Sequence, residues 1–138
     1  MSRIVLLIIL SGCASQTIDT ELESYVDAFE QDSAIYGKPM QVSSSVVFTD
    51  SLNPGERGRC TKNETEPNQV QILKSYWNQA DETSRKVLVY HELGHCELGR
   101  DHAASGIMNA SSYNAVRAFQ VNEIESLKQL FQRKETTL

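Results

Sequence analysis

The sequence predicts a small α+β domain. Three patterns carry that expectation: apolar residues at helical spacing near both ends and in the middle of the chain, period-two alternation in two short stretches between them, and a length that holds one core. At 138 residues and 15.5 kDa the chain is about one domain long, since domains run to roughly 150 residues. With 40% apolar and 22% charged residues it is neither a disordered acidic tail nor a membrane bundle. The longest apolar run, Ile4 to Leu10, falls well short of the about 20 residues that span a bilayer. A net charge of -5, from 13 basic and 18 acidic residues, with no Lys/Arg cluster, argues against a nucleic-acid partner.

Residues 17–36 form the first expected helix, because Ile18, Leu22, Tyr25, Val26 and Phe29 recur at helical spacing and Gly37 can close it. Beyond Pro39, Val42, Val46 and Phe48 alternate with Ser and Thr as in a half-buried strand. Residues 50–68 hold Cys60 among Asn, Pro, Gly, Glu and Arg and predict a long loop. Val70 and Ile72 alternate with Gln69 and Gln71, giving a second strand that runs toward Tyr76 and Trp77. Asp81 or Thr83 can cap a helix that continues through Val87 and Tyr90 into His91 and stops near Gly99. Residues 100–115 predict loop. Asn122 with Glu125 is a capping-box pattern, and Ile124, Leu127, Leu130 and Phe131 form one face of a last helix. The expected architecture is a short mixed sheet covered by an N-terminal and a central helix, with a C-terminal helix added.

The N-terminus predicts an address. Arg3 precedes the apolar core Ile4 to Leu10, and Leu10-Ser11-Gly12-Cys13 follows. The quartet resembles the bacterial lipobox, which implies cleavage before Cys13 and a lipid on its sulfur. The same resemblance implies the outer membrane, because Ala14 stands where such proteins carry an Asp when they are retained at the inner membrane. The resulting plan is a signal peptide at 1–12, a lipid anchor and tether at 13–24, and the folded domain at 25–138, in the cell envelope facing the periplasm. Of three cysteines the acylated one leaves Cys60 and Cys96, one possible pair in an oxidising compartment. The alternative is a free Cys96 thiolate competing for metal beside His95, although helical direction turns Cys96 away from the His91/His95 face.

The chemistry concentrates in His91-Glu92-Leu93-Gly94-His95-Cys96-Glu97-Leu98-Gly99-Arg100-Asp101-His102, which holds every histidine of the chain. On a helix His91 and His95 lie about 40° apart around the axis and about 6 Å along it, so both can reach one zinc at about 2.1 Å. Glu92 projects to the side where a metal-bound water would sit and can accept its proton. A solvated helix that happens to carry His and Glu is the plain alternative. The apolar Val87–Tyr90 entry weighs against it.

This string resembles the metzincin clan of zinc peptidases, whose pattern H-E-x-x-H-x-x-G-x-x-H is followed by a Met-turn. The matrixin-like members are nearest in look. The resemblance covers residues 91–108 and implies a metzincin-like fold, one zinc ion held by His91, His95 and His102, Glu92 as the catalytic base, and Met108 as a thioether floor beneath the histidines. It departs from the pattern in one place: three residues, Cys96, Glu97 and Leu98, separate His95 from Gly99 where the family has two. In an unbroken helix His102 would lie about 10.5 Å beyond His95, so the helix must break, and Gly99 can take left-handed geometry. Strict register would put the third ligand at Asp101. Asn122-Glu123 faintly echoes the gluzincins, which recruit a downstream Glu. Tyr113 is a candidate oxyanion support, off the family spacing.

The resulting expectation is a lipid-anchored, monomeric zinc endopeptidase acting on peptide or protein substrates, with the Gln69–Leu73 strand as the edge on which an extended substrate lies. The alternative is a zinc-stabilised envelope lipoprotein that binds a protein partner and cleaves nothing.

Overall fold

The computed structural model describes residues 15–132; the expected signal peptide and the lipidation site Cys13 lie outside them. The chain order is α1 (Thr20–Ile35), β1 (Ser45–Thr49), β2 (Gly58–Thr61), β3 (Gln69–Leu73), α2 (Lys74–Gln79), α3 (Glu82–Cys96), α4 (Ser112–Val121) and α5 (Glu123–Gln132). This is an α+β fold on a three-stranded mixed sheet of order β1-β3-β2. β1 runs parallel to β3, with Val46 opposite Val70, and β2 runs antiparallel to it, with Cys60 opposite Val70. Among the described residues no helix is long and apolar enough to cross a membrane.

The packed chain reaches back into the stretch expected to be tether. The Gln16 side-chain amide donates to the carbonyls of Val42 and Ser44, and Ile18 bridges Val46. Asp19 precedes α1, but its carboxylate accepts from the Phe48 N–H (2.7 Å), tying the helix start to β1. α1 buries Leu22, Tyr25, Val26 and Phe29. It closes at Gly37 (φ 80°), where Lys38 N–H donates to Ser33 O and Gly37 N–H to Ala34 O, the Schellman arrangement that a residue free to adopt positive φ permits. The core lies between α1, the sheet and α3, and α5 adds Leu127, Leu130 and Phe131. Phe29 sits at its centre, 5.2 Å from the Tyr90 ring and 5.0 Å from Phe131.

Four expectations are corrected. The 50–68 loop contains β2, whose Gly-Arg-Cys-Thr sequence has no apolar alternation and becomes a strand by pairing with β3. The second strand ends at Leu73, and Tyr76 and Trp77 belong to α2. Trp77 is 2% exposed between Tyr25 and Phe48, and burying that indole outweighs the local preference of aromatics for a strand. The expected loop 100–115 gives way at Ser112 to α4, capped by Ser111. In α5, Asn122 accepts from Glu125 N–H (3.0 Å) as expected, while Ile124 points outward, 60% exposed.

Candidate metal centre

α3 starts where Asp81 accepts from Ser84 N–H (2.8 Å), one of the helix's otherwise orphan donors. Its apolar side, Val87, Val89, Tyr90 and Leu93, is buried, and Tyr90 OH donates to Asp32 (2.6 Å). That orientation brings His91, Glu92 and His95 to the wall of a cleft of ≈ 490 Å³, whose lining includes β2 and the start of α4. Three contacts hold the far end of α3. Cys96 is disulfide-bonded to Cys60 of β2 (Cα–Cα 5.6 Å), Asn68 donates to the Cys96 carbonyl, and the Glu97 carboxylate accepts from the N–H groups of Ser43 (2.9 Å) and Ser44 (2.7 Å).

The helix stops at Cys96, and Gly99 takes φ 62°. Arg100 N–H then donates to Gly94 O, six residues back, one residue wider than the closure of α1. This wider turn absorbs the additional residue of the histidine string and sends the chain back toward α3. His102 returns to the two helical histidines: His91 Nε2 is 3.3 Å from His102 Nε2 and 3.2 Å from His95 Nε2. The ligand atoms of all three lie within 4.8 Å of one another, a cluster compatible with one metal ion. Three nitrogens bound tetrahedrally at about 2.1 Å stand about 3.4 Å apart, so the donor set fits such an ion. The outer ring nitrogens are committed: His91 Nδ1 donates to Ile107 O (2.7 Å) and His95 Nδ1 to Arg100 O (2.6 Å). A carbonyl can only accept, so the proton sits on Nδ1 and the Nε2 lone pairs face inward. Burial pulls the His91 imidazolium down to about 4 and lowers that of His95, which keeps both rings neutral near pH 7.

Glu92, 6% exposed, lines the same cleft. Burial lifts its carboxyl to about 7, and the Glu56 carboxylate adds in the same direction. Two glycines make room for this arrangement. A Cβ on Gly58 of β2 would stand 2.8 Å from Glu92 Cγ, and one on Gly94 would stand 2.4 Å from Met108 Sδ. Met108, 5% exposed, thus packs against the helix between the two histidine positions, held by the hydrogen bond from Ala103 N–H to its carbonyl.

The span from β2 to α4 is also where a similarity to known proteins falls. Residues 57–122 match the model of a family described as "Putative phage metallopeptidase". The chain is metallopeptidase-like over that span, which contains Glu92 and all three histidines. No curated protein and no solved structure matches it.

The other site expectations fall differently. Asp101 lines the cleft but is not in the histidine cluster. Glu123 is away from both, with Oε1 3.6 Å from Lys86 Nζ at the start of α5. Tyr113 is 68% exposed on α4, accepting from Arg117, and does not line the cleft. The Gln69–Leu73 strand is the central strand, paired on both sides, so it offers no edge; the edge strand bordering the cleft is β2. Sequence reasoning missed Arg57, Gly58 and Tyr76, all of which line the cleft. A usable signal was present: a Cys60–Cys96 bridge necessarily lays the residues around Cys60 beside the histidine helix.

Proposed function

We propose that this chain is a zinc-dependent endopeptidase of metzincin-like type, with His91, His95 and His102 as ligands and Glu92 as general base. The observation that carries the reading is the convergence of three inward-facing Nε2 atoms beside a buried carboxylate in an open cleft. Zinc bound there supplies Lewis acidity to water and to the carbonyl under attack. Glu92 accepts a proton at a carboxylate oxygen as water adds to the carbonyl carbon, then hands it to the departing amine nitrogen, so the peptide bond ends as a carboxylate and an amine. A cation held by His91, His95 and His102 would favour the ionised form of Glu92 that this step requires. β2 lends its outer edge to an extended substrate, whose backbone would add a further strand.

The same reading has the protein anchored by lipid at Cys13 to the outer membrane, facing the periplasm. Leu10-Ser11-Gly12-Cys13 supports this, as does a Cys60–Cys96 disulfide of the kind that persists in oxidising compartments.

Metal analysis of the purified chain and a peptide-library cleavage assay test the proposal, with Glu92→Gln as the critical variant. Glu92→Gln should retain its zinc and its melting temperature and lose about a hundredfold or more in cleavage, within the usual range for removing a general base. Equal cleavage by both proteins would remove Glu92 from the mechanism. Zinc in both with cleavage by neither would favour the non-catalytic binding protein.

A further inference from the structure

The cleft is less negative than the protein as a whole. The chain's net charge is -5, yet in the cleft Arg57, Arg59 and Lys62 stand against Glu56, Glu92 and Asp101, three against three before any metal is counted, while the Arg100 guanidinium turns away to the Leu130 carbonyl. Arg59 is neutralised by Glu56, to which it is ion-paired. Arg57 has no carboxylate partner among the described residues, although its guanidinium is held in place. It lies 4.7 Å over the Tyr76 ring and donates through Nη1 to Ser112 Oγ, and all three residues line the cleft. A guanidinium stacked on an aromatic and fixed by a neutral hydroxyl keeps its remaining N–H donors and its full charge for another group.

Its position is also informative. Arg57 directly precedes Gly58, the residue whose Cα faces the Glu92 carboxylate so closely that an added Cβ would stand 2.8 Å from it. One strand residue is about 3.3 Å of chain, so the guanidinium is rooted one residue from a strand position that faces the proposed base. The cleft lining also has an apolar part, with Val87 and Leu88 one turn before His91 on α3, and Ala115 and Val116 on α4.

We propose that Arg57 is a specificity residue that selects peptides with an acidic side chain next to the scissile bond. The stem of a Glu packs on the apolar lining, and its carboxylate takes the free guanidinium N–H groups. This rests on the peptidase reading of the same cleft, and the experiment separates the two. Charge-assisted hydrogen bonds of this kind are worth about tenfold to a hundredfold in discrimination.

The test uses the full-length chain, zinc-loaded, on peptide libraries, followed by twin peptides of the best cleaved sequence that differ only by Glu or Gln at the selected position. Acidic residues should be enriched within two positions of the cleaved bond. The Glu peptide should exceed its Gln twin by tenfold or more in kcat/KM, a ratio that shrinks as salt is raised. Arg57→Gln should bring the ratio near unity, and Arg57→Glu should shift the preference toward Lys. Cleavage with the same site pattern in wild type and both variants overturns the role of Arg57 and leaves the peptidase reading standing. If nothing is cleaved, that reading fails. The role of Arg57 in selecting acidic peptides is then decided by fluorescence anisotropy with Glu-containing peptides from the library and their Gln counterparts: tighter binding of the acidic ones that is lost in Arg57→Gln supports it, and equal binding overturns it.

Discussion

Gly58→Ala tests the proposed base without touching it. An ideal Cβ on Gly58 falls 2.8 Å from both Cγ and Oε1 of Glu92 and 3.0 Å from Cδ. Non-bonded heavy atoms settle at about 3.5–4.0 Å, so the Glu92 carboxylate must retreat by about 0.7–1.2 Å or β2 must shift by as much. β2 is held by its pairing with β3 and by the Cys60–Cys96 bond, so the side chain is the softer partner. A misplacement of about 1 Å at a reacting group costs on the order of a hundredfold in rate. Crowding costs about 1–3 kcal/mol, and replacing a strand glycine returns about 0.5–1 kcal/mol, leaving a net loss of about 0–2.5 kcal/mol. At about 2.1 cal/mol/K per residue over the described domain, that is a fall of roughly 0–10 °C in Tm. The measurements are bound zinc, Tm and kcat/KM on one peptide. Zinc retained with cleavage reduced about a hundredfold is the expected result. Cleavage within threefold of wild type would refute the claim that β2 sets the position of Glu92, and loss of zinc along with activity would show that the substitution acts through the histidines.

Three further outcomes are expected. Cys60→Ser with Cys96→Ser opens a loop of sequence separation 36, which in the chain-entropy model costs about 4 kcal/mol, or about 15 °C in Tm; a loss under about 1 kcal/mol by denaturant titration would contradict it. His91→Ala, His95→Ala and His102→Ala should each lower bound zinc in metal analysis, whereas Asp101→Ala and Glu123→Ala should keep it; full zinc in His102→Ala would displace it as third ligand. The Asp81 carboxyl is held below its ordinary value by the Ser84 N–H it accepts. Its stabilisation is therefore complete above about pH 4 and lost as pH falls through the lowered value, so Asp81→Ala should flatten that acid limb in thermal melts followed against pH, and an unchanged limb would contradict it.

The sequence by itself determined what depends on neighbours along the chain. His91 and His95 share a face because they are one helical turn apart, and Asn122 caps a helix because a cap acts on residues two or three positions away, whereas the choice of Asp81 over Thr83 as the cap of α3 came from the structure. α1 and α5 were readable from their 3.6-residue apolar spacing, and the Cys60–Cys96 pair from the count of cysteines. The tertiary structure decided whatever depends on a partner remote in the chain. β2 is a strand because β3 leaves an edge to pair with, although Gly-Arg-Cys-Thr carries no strand pattern. Trp77 joins a helix because Tyr25 and Phe48 form the site that buries it. His102 meets the other two imidazoles because a turn closed six residues wide, from Arg100 N–H to Gly94 O, absorbs the additional residue that spacing alone left ambiguous among His102, Asp101 and Glu123. Local spacing fixes angles on one element, whereas a metal site needs distances between elements, and those follow from burying the core.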